Sequence, residues 1–283
     1  MSQTILVLGA TGIAGRELVK LLTAENVTVK AATRTPEKYA VKGATAVRLV
    51  QEDASTFAPA LNGVDKVFLS ALPLDVDAPA KLIPFIDVAQ KAGVKKIVFL
   101  SAIGAELDEN FPLRKIERAV QASGIAYNIV RPNFFMENFS EGPFSGAVKA
   151  QGQIIAPAED AKVSMISTED IAAVSARLLL DDTLSGKELA LTGPAAITHE
   201  EAAQTITALG GKPVQYIAVS ENDLINAMTS HGAPESAANY LAGLFRNVRA
   251  GHAAVVNNHV EAFAGRPARS FEYFAQANRQ HFQ

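Results

Sequence analysis

A glycine-rich segment near the start of the chain has the clearest chemical meaning. It reads Gly9-Ala10-Thr11-Gly12-Ile13-Ala14-Gly15 and stands between an apolar stretch and a segment of helical period. Glycines permit a tight turn and let backbone N–H groups approach an anion, and a helix that starts there adds partial positive charge. The spacing is G-x-x-G-x-x-G, whereas the usual dinucleotide fingerprint is G-x-G-x-x-G. Its position between strand and helix predicts a pyrophosphate site for a nucleotide cofactor, with an ordinary glycine turn as the competing interpretation.

The basic residues that follow distinguish between two nicotinamide cofactors. Proteins that bind NAD usually carry an acid about 20 residues past the glycines, which holds the ribose 2′-hydroxyl. The stretch from Val27 to Pro36 has no acid, whereas Arg34 follows a candidate strand and Lys38 lies four residues later. A guanidinium suits a 2′-phosphate because it offers paired donors and opposite charge. We therefore expect NADPH to be favoured over NADH, the alternative being a solvated pair of cations at a helix start.

Several familiar catalytic patterns are missing from the chain. No tyrosine is followed by a lysine four residues on, which is the working pair of standard short-chain dehydrogenases. The H-E-x-x-H, G-x-S-x-G and Walker patterns are also absent. Without cysteine, thiolate catalysis and cysteine-ligated zinc are excluded. These absences argue against ordinary alcohol–ketone chemistry and sugar-nucleotide epimerisation, and we expect no metal site.

Composition limits the partners and the compartment. The 283 residues are 48% hydrophobic and 19% charged, with a net charge of −3. A chain without a basic excess has no field that would attract nucleic acid or an anionic membrane. No apolar run approaches the ~18 residues of a membrane span, and the N-terminus lacks the basic start of a signal peptide. We expect a soluble, cytoplasmic α/β protein whose length allows one large domain or two small ones.

The first half of the chain alternates short apolar stretches with segments of helical period. This alternation predicts a Rossmann-type, doubly wound parallel sheet, because each parallel strand pair needs a crossover connection. The predicted strands are Thr4–Leu8, Val27–Thr33, Ala46–Val50, Lys66–Ala71, Lys96–Ser101 and Ala126–Arg131, and the predicted crossover helices are Gly15–Ala24, Ala78–Ala92 and Pro112–Ser123.

The second half of the chain shows a different pattern of helices and strands. Three hydroxyl residues, Ser167, Thr198 and Ser220, each precede an acid by three residues, which predicts capping boxes at three helix starts. Strands are predicted at Glu188–Thr192 and Val214–Val219. Because no run of βαβ units continues past about residue 140, we expect two domains. Residues 1–150 would form the NAD(P)-binding domain, and residues 151–283 a smaller α/β C-terminal substrate lobe, partly interleaved with the first.

The sequence resembles the NmrA-like atypical short-chain dehydrogenases over nearly the whole chain. The most specific part is Arg131-Pro132-Asn133-Phe134-Phe135-Met136-Glu137-Asn138. That family includes NADPH-dependent quinone oxidoreductases, triphenylmethane-dye reductases and non-catalytic NADP-sensing regulators. The other matching segments are Gly9–Gly15, Arg34–Lys38, Ser123–Tyr127, Lys162–Ile166, Asp170–Ala172, Leu191–Pro194 and Gly265–Phe271.

The resemblance implies roles for individual residues. Asp53 would lie near the adenine, although the stretch from Val50 to Asp53 departs from the family's usual Gly-Asp pair. Core packing is the competing interpretation for the apolar residues after Asn133. The implied contacts are Gly9, Thr11, Gly12, Ile13, Ala14 and Gly15 for the pyrophosphate; Arg34 with Lys38 for the 2′-phosphate; Ser70, Ala71 and Leu72 at the end of the fourth strand, where the sheet reverses order; and Asn133, Phe134, Phe135, Met136 and Asn138 around the nicotinamide and the substrate.

One departure from the family concerns a proton donor. Relatives often carry Lys or His four residues before the glutamate that corresponds to Glu117, and this chain has Leu113 there. Arg114 and Lys115 point to other faces of the helix, and we interpret both as solvated surface residues. Ser101, at the tip of the fifth strand, is a weak candidate for hydrogen-bonding a substrate oxygen, and it could equally cap the strand end.

The missing acid shapes the functional hypothesis. Hydride transfer needs chiefly proximity and orientation, whereas reduction of a simple ketone also needs a positioned acid. Quinones and cationic dyes accept hydride readily, so we expect an NADPH-dependent reductase whose partner is a small aromatic or quinone-like acceptor. Two alternatives stay open: a non-catalytic NADP-sensing regulator, and an isomerase or lyase built on the same cofactor fold. The sequence does not predict the oligomeric state.

Overall fold

A computed structural model describes residues 2–209 and 212–282 of the chain. No helix in these two ranges combines the length and apolar character that crossing a bilayer requires. The strands and helices follow one another in the order β1 (Thr4–Val7), α1 (Ile13–Leu22), β2 (Thr28–Thr33), β3 (Ala44–Arg48), α2 (Phe57–Leu61), β4 (Lys66–Ser70), α3 (Ala78–Lys91), β5 (Lys96–Leu100), α4 (Pro112–Ala122), β6 (Ala126–Pro132), α5 (Ser145–Gln151), β7 (Gln153–Ala156), α6 (Thr168–Leu180), β8 (Glu188–Leu191), α7 (His199–Ala208), β9 (Gln215–Ala218), α8 (Glu221–Ser230), α9 (Glu235–Arg249), α10 (His259–Ala264) and α11 (Phe271–Ala277).

The chain forms two compact units, and each is made of two chain segments. The first unit comprises Met1–Arg131 and Glu169–Ala190, and the second comprises Pro132–Thr168 and Leu191–Gln283. The sequence suggested a division at residue 150. The structure divides the chain earlier because β6 ends at Pro132, and α6 with β8 returns to the first unit.

The first unit is built on a seven-stranded sheet of order β3-β2-β1-β4-β5-β6-β8. The pairs from β3 through to β6 are parallel. β8 also runs parallel to β6, since the N–H of Ile129 donates to Lys187 O at 3.0 Å and that of Asn133 to Leu191 O at 2.9 Å. The strand order reverses between β1 and β4, where open α/β sheets generally bind ligands. The doubly wound fold class predicted from the sequence is confirmed.

The core of the first unit follows from the alternation of side chains along the strands. Leu6, Val67 and Ile97 point to one face of the sheet, where they pack with Phe57 of α2 and Phe85 of α3. The intervening residues of the same strands are also buried, as expected for a parallel sheet covered on both faces. This burial explains why the predicted strands are almost wholly apolar.

Two buried lysines lie at the amino edge of the sheet, which is the edge where β4 and β5 begin. Lys66 and Lys96 are register partners, and each is 1% exposed. The Lys66 ammonium donates to Leu179 O at 2.7 Å and pairs with Asp182 at 2.7 Å. The Lys96 ammonium donates to Leu178 O at 2.5 Å and to Asp181 O at 2.9 Å. The pair therefore satisfies the carbonyl groups that α6 leaves open at its C-terminus.

The second unit contains a separate two-stranded parallel sheet of β7 and β9. Its core combines apolar residues of α7, α9 and α11 with Met136 and Phe139. Two of the predicted capping boxes are confirmed, at Thr198 with Glu201 and at Ser220 with Asp223. The predicted strand Glu188–Thr192 forms as β8, but it belongs to the sheet of the first unit rather than to the C-terminal lobe.

Candidate functional site

The glycine loop between β1 and α1 is a close-packed turn that requires its glycines. Gly9 has φ +65°, and a Cβ there would come within 2.6 Å of Ser70 Oγ. A Cβ on Gly15 would collide with the carbonyl oxygen of Gly9. The N–H of Gly12 donates to the same oxygen at 2.8 Å and closes the turn. Both glycines are therefore required by the conformation of the loop.

The loop opens α1 in a way that suits an anion. Gly12 is the N-cap residue, and it supplies no side chain to the N–H groups of the first turn, which also contains no acid. The first turn presents Ile13 half-buried and Ala14 buried, whereas Thr11 is exposed before it. Open N–H groups and the helix dipole give this end a partial positive charge. The predicted pyrophosphate residues thus form one continuous turn at the start of a helix.

The end of β4 lies beside this loop, at the point where the strand order reverses. The buried Ser70 hydroxyl donates to Leu8 O at 3.2 Å, which links the ends of β1 and β4. Ala71 is half-buried and Leu72 is exposed. Gln51 donates to Ser70 O at 3.1 Å, and its buried Oε1 has no partner among the described residues. Sequence reasoning missed Gln51, whose position only the fold reveals.

Three cations gather where β2 and β3 end. Arg34 follows β2 directly, Lys38 ends a short 3₁₀ turn at Pro36–Lys38, and both are exposed. Arg48, the last residue of β3, is the register partner of Thr33. Its guanidinium donates to Arg34 O at 3.3 Å. The sequence prediction named Arg34 and Lys38 but missed Arg48, because the β2–β3 register is needed to bring it there.

The Asp53 carboxylate has a local structural partner. Its Oδ1 accepts from the N–H of Ser55 at 3.1 Å and from the Ser55 hydroxyl at 2.6 Å, which caps the turn Ala54–Thr56. These hydrogen bonds lower the pKa of Asp53, with a smaller contribution from the charge of Arg48. The contact with adenine that the resemblance implied stays a prediction.

A buried ionic cluster centres on Glu117, which is 0% exposed. Arg131 forms a bidentate pair with it, with Nε–Oε1 at 2.7 Å and Nη2–Oε2 at 2.8 Å. Arg114 Nη1 donates to Oε2 at 2.7 Å, and the Ser101 hydroxyl donates to Oε1 at 2.6 Å. Burial alone would raise the pKa of Glu117, but the hydrogen bonds from Arg131, Ser101 and Arg114 outweigh it and lower the pKa. Glu117 is therefore an ionised, fully satisfied carboxylate.

This cluster changes the interpretation of three residues. Arg114 is buried between Glu109 and Glu117, so its assignment to the solvated surface was wrong. Lys115, the next residue of α4, is exposed, which agrees with its interpretation as a surface residue. Ser101 is 5% exposed, and its single hydroxyl hydrogen is given to Glu117. An oxygen that donates its hydrogen to a carboxylate can accept a further hydrogen bond but has no proton to offer.

In the second unit, Asn133 is buried and fully engaged. Its amide nitrogen donates to Ser164 Oγ at 2.8 Å and to Ala253 O at 2.7 Å. Its amide oxygen accepts from the N–H of Phe134 at 2.9 Å. Ser164 in turn donates to Val255 O at 2.6 Å. Asn133 therefore ties three segments of this unit together, which is a structural role that the resemblance did not imply.

The residues after Asn133 divide into buried and half-buried positions. Met136 is 1% exposed and lies in the core of the second unit, so the core-packing interpretation applies to it. Phe134 and Phe135 are half-buried, and the Phe134 ring lies 5.4 Å from that of Phe245. Asn138 is also half-buried. Phe134, Phe135 and Asn138 are thus the residues of this segment that keep exposed surface.

Glu137 and His199 are two buried ionisable residues of the second unit, and burial shifts the pKa of each. Glu137 accepts from the N–H of Thr168, at 3.0 Å to each carboxylate oxygen, and from Ser167 Oγ at 3.2 Å. Burial raises the pKa of Glu137, although these hydrogen bonds oppose the shift. His199 is 0% exposed among aromatic rings, and neither ring nitrogen has a partner among the described residues. Burial lowers the pKa of His199 to about 4.

Comparisons with known proteins agree with this arrangement. A model of the NmrA-like family matches residues 1–257. The chain is 36% identical over 279 residues to prestalk A differentiation protein A of Dictyostelium discoideum, covering 96% of this chain and 91% of that protein. It is 35% identical over 285 residues to an NAD(P)H azoreductase of Xenophilus azovorans, covering 98% and 99%.

Structural similarity extends over the same length. The NADPH complex of an NADPH-dependent quinone oxidoreductase from Escherichia coli matches with a TM-score of 0.84 and 26% identity, covering 97% of this chain and 99% of that one. Because the two named reductases match nearly the whole chain, the alternative of a non-catalytic regulator is not favoured. The chain belongs to the NmrA-like family, and it is an oxidoreductase.

Proposed function

We propose that this protein transfers hydride from NADPH to a quinone-like or other electron-poor acceptor. The observation that carries the proposal is the glycine loop, in which Gly9 and Gly15 leave no room for a Cβ and an uncapped helix begins at once. A turn of this kind at the point where strand order reverses is the expected cradle for the pyrophosphate of a dinucleotide.

The residues of the first unit fit NADPH. The backbone of Gly9, Thr11, Gly12, Ile13, Ala14 and Gly15 would hold the pyrophosphate. Arg34 and Lys38 are exposed cations that would meet the 2′-phosphate, for which a guanidinium is better suited than for a 2′-hydroxyl. Ser70, Ala71 and Leu72 would line the cofactor at the end of β4. Reduced nicotinamide supplies the hydride. The contacts of Phe134, Phe135 and Asn138 with the nicotinamide or the acceptor, which the resemblance implied, stay a prediction.

We infer the class of acceptor from the hydrogen bonding of Ser101, which stands at the tip of β5. The Ser101 hydrogen is bound to Glu117, and two arginines keep that carboxylate ionised. Ser101 and Glu117 therefore cannot protonate a reduced substrate. A ketone would leave an alkoxide that needs an acid, whereas a quinone that takes hydride becomes a hydroquinone anion, which water can protonate. The NADPH-dependent quinone oxidoreductase with the same fold supports this class.

The experiment follows NADPH oxidation by absorbance with a panel of quinones, triphenylmethane dyes and azo dyes. We expect turnover with acceptors of this panel and none with simple ketones. Tight NADPH binding without turnover of any acceptor would overturn the reductase proposal.

A pair of glycine variants links that activity to the loop. Gly15→Ala places a methyl group against Gly9 O, so we expect loss of NADPH binding and of turnover. Gly146→Ala, in α5, is the matched control because a Cβ there meets nothing within 4 Å. Equal NADPH affinity in the two variants would contradict the role of the loop.

A further inference from the structure

Arg48 lies beside the proposed 2′-phosphate residues, and nothing in the sequence singled it out. We propose that Arg48 is a specificity-determining residue whose guanidinium contributes to binding the 2′-phosphate of NADPH, together with Arg34. This inference rests on the proposed function and adds to it a residue of the third strand.

The position of Arg48 is set by the sheet. β2 and β3 are paired in register from Val29 with Ala44 to Thr33 with Arg48, so Arg48 reaches the edge at which β2 ends. There its Nη1 donates to Arg34 O at 3.3 Å. That bond uses one of the five N–H donors of a guanidinium, and the others stay available to an anion. The bond also holds the side chain next to the backbone that carries Arg34.

The ion pairs of the first unit separate its seven arginines into two groups. Five of them have a carboxylate within 4 Å, and they are Arg16, Arg114, Arg118, Arg131 and Arg177. Arg34 and Arg48 form no such pair with any described residue. These two are also the arginines that stand together where β2 and β3 end. Two exposed arginines without carboxylate partners among the described residues, one of them hydrogen-bonded to the backbone of the other, can form a site for a doubly charged oxyanion.

The neighbouring acids do not neutralise these arginines. Asp53 is close enough to Arg48 for their charges to interact, but the two residues form no ion pair, and Asp53 Oδ1 accepts from Ser55. Glu52 lies 3.4 Å from the ammonium of Lys81, which also pairs with Asp75. The positive charge of Arg34 and Arg48 is therefore left for a ligand, and a phosphate attached to the adenosine ribose is the anion that the proposed function brings to this edge.

Two substitutions of Arg48 test whether its charge binds the anion. Arg48→Ala removes the charge and the hydrogen bond to Arg34 O. Arg48→Gln removes the charge but keeps a polar side chain, which is too short to reach that carbonyl. Lys91→Gln is the control, because it removes an exposed cation at the C-terminal end of α3, before β5 begins at the opposite edge of the sheet.

The measurement is calorimetric binding of adenosine 2′,5′-bisphosphate and of 5′-AMP, which differ in the 2′-phosphate and need no turnover. We expect both Arg48 variants to bind the bisphosphate about tenfold more weakly, as loss of a charge-assisted contact implies. Binding of 5′-AMP should change little, and Lys91→Gln should behave as the wild type does. The same loss should appear in the ratio of NADPH to NADH affinity.

Other results would overturn the inference in distinguishable ways. If Arg34→Ala lost the preference for the bisphosphate while both Arg48 variants kept it, the proposed function would stand and the role of Arg48 would fall. If Arg48→Ala lost the preference and Arg48→Gln kept it, the charge of Arg48 would not be what binds the 2′-phosphate. A wild-type protein without any preference for the bisphosphate would overturn the proposed use of NADPH and this inference together.

Discussion

The two edges of the first sheet use cations in opposite ways. At the amino edge, Lys66 and Lys96 are buried, and backbone carbonyls of the α6 end and the following turn accept from them. At the carboxyl edge, where β2 and β3 end, Arg34 and Arg48 are exposed and pair with no carboxylate among the described residues. A buried charge must be satisfied within the protein, whereas an exposed one can be kept for a ligand. The environment of each cation, rather than its residue type, therefore indicates its function.

The cluster around Glu117 extends this comparison to arginines. Arg114 and Arg131 have the same side chain as Arg34 and Arg48, but both are buried and share one carboxylate. We expect Arg114 and Arg131 to contribute to the stability of the first unit, and we propose that Arg34 and Arg48 contribute to cofactor choice. Substitutions in the Glu117 cluster should therefore change the free energy of unfolding, whereas substitutions of Arg34 and Arg48 should change the affinity for NADPH.

The largest expected effect is on Glu117. In Glu117→Gln, two buried guanidinium groups lose their shared counter-charge, and removing one partner of a buried pair costs about 4 kcal/mol. We expect the free energy of unfolding in urea to fall by this order, with β5 and β6 losing amide-exchange protection first.

Glu109→Gln is the matched control for that substitution. Glu109 pairs with Arg114 and Arg118 in the same cluster, but its side chain is 59% exposed. Hydrogen bonds from Arg118 and Arg114 lower the pKa of Glu109 to about 2, yet solvent screens an exposed pair. If Glu109→Gln and Glu117→Gln had the same free energy of unfolding, burial would not explain the expected difference between these two carboxylates.

His199 supplies the corresponding comparison in the second unit, because it is buried without a partner. Burial lowers the pKa of His199 from its ordinary value of 6.5 to about 4, so its contribution to stability is complete above pH 6.5 and is lost as the pH falls through 4. The loss amounts to about 3 kcal/mol. We expect urea unfolding at pH 7 and pH 4.5 to show a smaller acid effect in His199→Phe than in the wild type.

The control for this prediction is His252→Gln, since His252 is exposed in the same unit. That variant should keep the acid sensitivity of the wild type. If His199→Phe kept it as well, carboxylates rather than His199 would be responsible for acid unfolding.

A smaller effect is expected at the amino edge. Lys96→Met retains the apolar stem but leaves Leu178 O and Asp181 O without their donor. The lost hydrogen bonds are partly offset because a buried charge is also removed, so we expect about 2 kcal/mol of destabilisation by thermal unfolding. Burial and the nearby charge of Lys66 lower the pKa of Lys96, as expected for a cation that the fold keeps away from water.

Lys95→Met tests whether the destabilisation expected for Lys96→Met depends on burial of the lysine. Lys95 is the preceding residue, is exposed and pairs with Asp65. We expect little change in stability from this variant and no change in NADPH affinity from either substitution. A loss of NADPH affinity in folded Lys96→Met would contradict the separation between the two edges.

The features that could be predicted from the sequence are those set by local pattern. The glycine loop was recognisable because its residues follow an apolar strand and precede a helix. The predicted strands formed within two residues of their expected ends, and in the first unit this is because both faces of a parallel sheet demand apolar side chains. β7, in the second unit, was not predicted. Arg34 could be singled out because the tip of the second strand has a known role in cofactor choice, and its contact with the cofactor stays a prediction.

The features that could not be predicted depend on contacts between distant segments. Arg114 looked like a surface residue because only the fold brings Arg131 and Glu117 to it. Lys66 and Lys96 begin two predicted strands, and nothing in the sequence indicates that the C-terminal end of α6 lies against them. Arg48 lay within a predicted strand, Ala46–Val50, and its importance required the register with β2.

We propose that Arg34, which pairs with no carboxylate among the described residues, selects NADPH over NADH. The decisive measurement is the pair of dissociation constants of NADPH and NADH for the wild type, for Arg34→Ala and for Arg177→Ala, an exposed arginine that pairs with Asp181. We predict that Arg34→Ala weakens NADPH binding about tenfold or more and leaves NADH binding almost unchanged. Arg177→Ala should retain the wild-type preference. An unchanged ratio of the two affinities in Arg34→Ala would contradict the account.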